Sequence, residues 1–368
     1  MLRALAPVLL LIVSLLSGPL MANSPIKLRL LVWEGYAPEE LRKEFEEKMS
    51  KEIKRKVILE TKYADESKEF YAGIRGNTAD IISPSHTYFK SPKWLYIEKN
   101  LLLPLPTKKM SNYEDLLTSV KEVNEVKSRG NTYGVPIAHG PYGLAYNSDK
   151  VKNAPTSWKE LWDPKHKGKY TISKDQVEAN VYIAALSLGV SKADIFDLNA
   201  VTKANIYPRL RDLAVNAKSM WVGVDTPEEL KKAALATSWG DSLGQLRKLG
   251  QPWKFAEPKE GTTGWLDFIA INSKVSEDPV KRQVAVAWLN FVISNRFQTK
   301  GIVEGMGNDP VNKTLAKTLP KELVKKHHLD QPEYFKTHRI LWKTLDTRTS
   351  NGFKMLWDRA ITESKHKS

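Results

Sequence analysis

The chain has 368 residues, no cysteine and a formal charge of +15 at pH 7. The absence of cysteine excludes disulfides, thiol catalysis, iron–sulfur clusters and Cys-ligated zinc. Its 57 Lys and Arg are interspersed with 42 Asp and Glu along stretches such as Leu41 to Lys56 and Lys321 to His327. That is the pattern of a solvated surface, and with no aromatic-basic motif beside it nucleic acid is not expected as a partner.

Met1-Leu2-Arg3 is followed by an apolar run from Ala4 to Leu16, a small-residue segment from Ser17 to Ser24 and an Ala22-Asn23 junction. One positive charge, an apolar run of export length and a small-residue junction describe a cleavable secretory signal over residues 1–22. Pro7 and Pro19 bracket a run short of the ~20 apolar residues needed to span a bilayer, so cleavage rather than anchoring is expected. Without cysteine there is no site for a lipoprotein lipid, and the mature chain is expected free in the periplasm. Roughly 345 residues then remain, beyond the ~250 to 300 at which single cores stop growing, which predicts two lobes.

The mature chain opens with Leu28 to Trp33, an apolar run that reads as a buried strand. Pro38 starts a helix through Lys48, with Glu39 and Glu40 in its first turn where acids suit the dipole. A strand from Lys56 to Glu60, a helix near Glu66 to Ile74 and a strand from Ala79 to Ser85 follow. Strand, helix, strand, helix, strand implies parallel pairing and an α/β lobe, whose ligands gather at the carboxyl ends of strands. Those ends are Trp33-Glu34-Gly35-Tyr36 and Ser83-Pro84-Ser85-His86-Thr87-Tyr88.

A second lobe is expected to begin near Pro136 to Tyr142, where Gly140 and Pro141 interrupt a short extended run. Ser157, three residues before Glu160, predicts a capping box on a helix holding Trp158 and Trp162. A strand over Tyr170 to Ser173 leads through Asp175-Gln176-Val177-Glu178 into a helix from Asn180 to Leu188. Later landmarks are Trp239-Gly240-Asp241 and Pro258 to Asp267. His86 and His139 read as loop histidines, since neither has a ligand spacing.

In this order the motifs Val32 to Pro38, Ala79 to Ser85, Ser157 to Trp162 with Lys167-Gly168, Asp175 to Glu178, Trp239-Gly240, Pro258 to Gly261 and Trp265-Leu266-Asp267 resemble the periplasmic spermidine/putrescine-binding proteins. These are receptors of polyamine ABC importers, and the resemblance covers nearly the whole mature chain. It implies a two-lobed type II periplasmic-binding-protein fold of α/β class, with lobe 1 formed by 26–138 plus 268–311 and lobe 2 by 139–267 plus 312–368. It further implies a ligand cleft between the lobes and closure by a hinge. A monomer with no cofactor, no metal and no catalytic residue is expected.

A polyamine is a flexible apolar chain carrying ammonium groups, so its receptor needs carboxylates at intervals and aromatic walls between them. The family's pocket positions match at Trp33, Glu34, Tyr36, Ser85, Asp175, Glu178, Trp239, Trp265 and Asp267, with Tyr88 beside them. An ammonium over an aromatic face gains roughly 0.5 to 2 kcal/mol. Three positions depart from the family: Gly35, Thr87 where a tyrosine is expected, and Lys343, which follows Trp342 and is either a surface lysine or a cation in the pocket. Each site residue also has a plainer reading. Trp33 and Trp265 would serve as core tryptophans, and Asp175 and Glu178 would suit a helix N-terminus.

The resemblance leaves two partners open, an ABC permease or a membrane-bound sensor protein, and the basic exterior is expected to assist docking on an acidic membrane partner. Ferric iron or an anion on the same scaffold is a further alternative, although no adjacent tyrosine pair is present to favour iron. An enzyme is not expected, because no nucleophile elbow or metal motif appears.

Overall fold

The computed structural model describes residues 24–331 and 333–365; the expected leader over 1–22 lies outside the described residues. Its strands are β1 (Ile26–Val32), β2 (Val57–Tyr63), β3 (Ile81–Ile82), a short hairpin β4 (Lys127–Ser128) and β5 (Asn131–Thr132), β6 (Val135–Asn147), β7 (Tyr170–Ser173), β8 (Ser219–Trp221), β9 (Leu235–Ser238), β10 (Trp253–Phe255), β11 (Thr262–Ile271), β12 (Asp309–Pro310) and β13 (Arg339–Leu341). Neighbours run β2-β1-β3-β11-β6-β9-β7-β8, with β10 and β12 added on β6 and β13 on β11. The α/β class and two-lobed architecture are therefore present.

β1 pairs in parallel with β2 and β3, with helices Glu39–Ile53 and Ser67–Arg75 as the crossovers. The first helix runs beyond Lys48 because Leu41, Phe45 and Met49 continue one buried stripe, and it stops where Lys54 turns left-handed at φ 53°. The third strand is shorter than the sequence suggests. Asp80, just before it, keeps its backbone bonded to Arg29 O at 2.9 Å while its carboxylate receives Arg29 Nη2 at 2.6 Å and Lys281 Nζ at 2.8 Å, and Pro84 after it has no N–H to donate. Burial alone would raise the Asp80 carboxyl, but these cations hold it below its ordinary range.

Gly140-Pro141 does not interrupt the chain. Both lie inside the 13-residue β6, where Pro141 stands opposite Gly264 of the antiparallel β11. Proline's fixed φ suits an extended strand, at the loss of one ladder donor. The helix expected after Ser157 is a 3-10 turn, Trp158–Trp162, and no capping box forms. Ser157 Oγ accepts from Lys159 N and donates to Glu260, while Glu160 turns to His166 and Lys165.

Two large cores flank the central pair β6 and β11. One gathers Val32, Phe70, Ile137, Phe268, Trp288 and Phe297. The other gathers Leu144, Trp158, Tyr170, Ile183, Leu210 and Trp357, the last from the C-terminal helix Thr347–Lys365. β6 gives Ile137 to the first core and Leu144 to the second, and β11 pairs along it, so the lobes are joined by continuous sheet.

Candidate functional site

Alternation along β11 puts Thr263, Trp265 and Asp267 on one face. Register sets Tyr142 opposite Thr263, Gly140 opposite Trp265 and Ala138 opposite Asp267. On the other edge β13 runs parallel with Ile340 opposite Thr263, and Trp342 follows one step past the ladder with its N–H on Gly264 O at 3.2 Å. The Trp265 ring lies across Gly140, where a Cβ would come within 2.8 Å of it. Glycine there is what lets an indole lie flat at the junction between lobes.

Asp267 sits at the β11 bulge between Asp267 and Phe268 and is only 9% exposed. Tyr36 donates its O–H to Asp267 Oδ2 at 2.8 Å, and Ser85 bridges to Asp267 through the backbone. Burial pushes the Asp267 carboxyl up to about 7, against the hydrogen bond from Tyr36. No cation is paired with it among the described residues. Tyr88, half-buried nearby, has its hydroxyl pushed up to about 12 by burial, with the Asp267 and Glu178 charges adding to the effect.

The facing wall belongs to the second lobe. Trp239, half-buried, packs its ring on Tyr142 at 4.8 Å and on Trp342 at 5.7 Å between centroids. Buried Asp225 accepts from Trp239 N–H and Ser238 Oγ, both at 2.8 Å, and Trp239 Nε1 donates to Gly223 O at 3.3 Å. Burial raises the Asp225 carboxyl. Asp175 closes this array: its oxygens accept from Ser173 Oγ at 2.7 Å and Gly223 N at 3.0 Å.

The structure thus brings Tyr36, Ser85, Tyr88, Trp265 and Asp267 together, with Glu178 in the first turn of helix Val177–Ser187 close enough for its charge to act on Tyr88. Trp33 packs edge-on to Phe70 at 4.7 Å and ties its N–H to Ser83 Oγ at 2.8 Å, half-buried beside them. Glu34 is exposed in the turn, and Asp175 is exposed and engaged with the 223 loop rather than sharing a hydrogen bond with Glu178. Gly35 has φ +88°, and a Cβ would meet Met306 at 2.9 Å, so glycine is required there. Lys343 is exposed with its ammonium 5.1 Å above the Phe196 ring, while Trp342 packs its ring on Tyr142, Tyr182 and Trp239.

Sequence reasoning missed Tyr142, Trp342, Asp225 and His86. His86 is not a loop histidine but fully buried, with Nε2 2.7 Å from Trp342 O and Nδ1 3.1 Å from Leu266 O and 3.3 Å from Ser85 Oγ. A neutral ring assigned as Nε2–H donates to Trp342 O and lets Nδ1 accept from Ser85, but sets that nitrogen against the Leu266 carbonyl, whereas a doubly protonated ring would donate to both carbonyls. Burial, which lowers its pKa, favours that neutral form. His139 is likewise buried, inside β6, against Asp309 and Phe335.

Residues 76–329 match the family model described as bacterial extracellular solute-binding protein. The chain is 25% identical over 298 residues, 79% of each chain, to a spermidine/putrescine-binding periplasmic protein of Salmonella typhimurium. It is 26% identical over 307 residues, covering 78% of this chain and 80% of the other, to a putrescine/cadaverine-binding protein of Pseudomonas aeruginosa. A solved spermidine/putrescine ABC transporter substrate-binding protein from Streptococcus pneumoniae superposes with a TM-score of 0.74 at 21% identity, over 92% of this chain and 99% of that one. Among the described residues no helix is long and apolar enough to cross a membrane. With a family model matching across both lobes and a two-lobed sheet joined through β6 and β11, the chain belongs to the bacterial extracellular solute-binding proteins.

Proposed function

We propose that this protein is a periplasmic receptor that captures a linear polyamine or close cationic relative between its lobes and delivers it to an ABC importer. One observation carries the reading: a buried carboxyl, Asp267, that accepts from Tyr36, has no cation beside it among the described residues and is set among Tyr36, Tyr88 and Trp265. Such a carboxyl resists ionisation until a cation arrives, and then pairs with it in a medium where the attraction is poorly screened. Aromatic faces on both sides, Trp265 with Trp33 and Trp239 with Trp342, would stack on methylenes and ammonium groups. Glu178 is the second counter-charge, and Asp175 holds the 223 loop and so the Trp239 wall. The names borne by the similar proteins support the same ligand class.

In this reading lobe 1 comprises 26–138 plus 268–311, lobe 2 the remainder of the mature chain, and closure bends the strands that cross between them. The test is calorimetric titration of ligand-stripped mature protein with putrescine, spermidine, norspermidine and spermine. Saturable binding, weakened about 100-fold or more by Asp267→Asn, is expected for the loss of a buried ion pair. Absence of heat and of thermal stabilisation with every amine would remove the polyamine reading.

A further inference from the structure

The face that carries Asp267 also carries hydrogen-bonding atoms that an all-ammonium ligand cannot satisfy. Trp265 Nε1, Trp342 Nε1 and Thr263 Oγ1 are all enclosed and without a partner. Strand alternation and the β11–β13 register put all three on one side of the crossover, and Thr263 is fully buried. An indole N–H is a donor only, and an ammonium is likewise a donor only. A pure polyamine would therefore enter this site and leave both indoles orphaned, each with the desolvation penalty of an unmade hydrogen bond.

The charge around these donors sets the kind of acceptor that fits. Asp267 lies on the same face and Glu178 is near Tyr88. The nearby cations are committed elsewhere: Lys343 sits over Phe196, and Arg339, on the opposite side of β13, faces Tyr334 and Asp309. A ligand carboxylate would meet carboxylates with no free cation beside it among the described residues, whereas a neutral carbonyl would meet two neutral N–H donors. Resting on the cationic reading above, we propose that the preferred ligand is a mono-acylated amine, whose ammonium pairs with Asp267 and whose amide carbonyl accepts from Trp265 and Trp342.

The test compares three probes of equal backbone length, 1,4-diaminobutane, its mono-N-acetyl derivative and 4-aminobutanoate, by calorimetry on the ligand-stripped mature protein. The acetyl derivative is expected to bind about tenfold more tightly than the diamine. Trp265→Phe, which keeps a ring for stacking but removes the N–H, should weaken the acetyl derivative about tenfold more than it weakens the diamine, so that most of the preference is lost; Trp342→Phe supplies the same comparison should the first variant melt early. Equal or tighter binding of the diamine overturns the acyl-amine inference and leaves the polyamine reading standing. Tightest binding of 4-aminobutanoate overturns the neutral acceptor, and silence from all three probes and from the longer polyamines overturns both.

Discussion

The phenolic O–H of Tyr36 lies 2.8 Å from Oδ2 of Asp267, joining residues 231 positions apart. Tyr36 follows the first strand, and Asp267 ends the part of β11 that reaches toward the second lobe. The bond therefore fixes the carboxylate of the crossover to the loop where a ligand would enter at the strand ends. The donor favours the ionised carboxylate and burial opposes it, so in the proposed receptor this pair would set the pH at which a cation is accepted.

Amine binding should be pH-dependent with its midpoint near the Asp267 value of about 7. Above it the carboxylate is ionised and affinity reaches a plateau; below it each pH unit should weaken binding by up to about tenfold, since a proton must leave first. Titrations between pH 5.5 and 8.5 in buffers of different ionisation heat would show proton release on binding at the acid end. A flat affinity across this range would contradict the assignment.

Tyr36→Phe removes a hydrogen bond that stabilises the ionised form of Asp267. The midpoint should move upward by about one unit, as expected for a hydrogen bond to a charged group. Affinity at pH 9 should remain close to that of the parent protein. An unchanged midpoint would mean that the phenol acts on shape rather than on charge.

Asp267 should also weaken the empty fold. Its folded pKa is raised, so the folded state holds the proton more tightly than the unfolded chain, and stability falls as pH rises from about 4 through about 7. Asp267→Asn should abolish that slope and raise the unfolding free energy of ligand-free protein at pH 8 by up to a few kcal/mol, at about 1.4 kcal/mol per pKa unit, and its melting temperature with it. A variant that binds no amine yet melts higher would separate function from stability.

Much of this arrangement is written locally. Trp265 and Asp267 are two apart, so any strand through them places both on one face, and the strand-helix alternation from Leu28 onward gives the parallel half of the sheet. What is not written locally are the partners. Trp342 reaches the site through β13, which pairs with β11 across some 75 residues, a register that β13 itself does not announce. Asp225 holds Trp239 from 14 positions away through a backbone N–H, which leaves no pattern in sequence. Gly140-Pro141 reads as a break because both residues usually end strands, yet Gly140 is present to seat the Trp265 ring.

That unannounced support gives a separate expectation for Asp225. Its two oxygens accept from Trp239 N–H and Ser238 O–H, and Asp225→Asn keeps one acceptor but makes the other a donor, so that Ser238 Oγ must turn to accept and its O–H loses this partner. Ligand affinity should fall about three- to tenfold, and the Trp239 amide should exchange its hydrogen faster. Loss of affinity without faster exchange at Trp239 would place the effect elsewhere.

The last prediction concerns acid stability at a cluster remote from Asp267. Asp309 on β12 receives His327 Nδ1 at 2.8 Å, with His139 Nδ1 and Arg339 Nη2 both at 3.8 Å. Burial lowers His139 to about 4, and Asp309, although burial would raise it, is drawn down to about 2 by His327, His139 and Arg339. For both groups the unfolded chain binds protons at higher pH than the fold does. The stability these two groups contribute is complete above about pH 6.5, falls between there and about 4 as unfolded His139 takes up its proton, and falls again toward 2 as Asp309 is protonated, opposite in sign to the contribution of Asp267. His86, His166 and His328, also lowered by burial, act in the same direction as His139. His139→Gln should reduce the slope of unfolding free energy between pH 4 and 6.5 by up to one proton, about 1.4 kcal/mol per pH unit. Denaturant melts across that window measure it, and an unaltered slope would show that His139 titrates alike in both states.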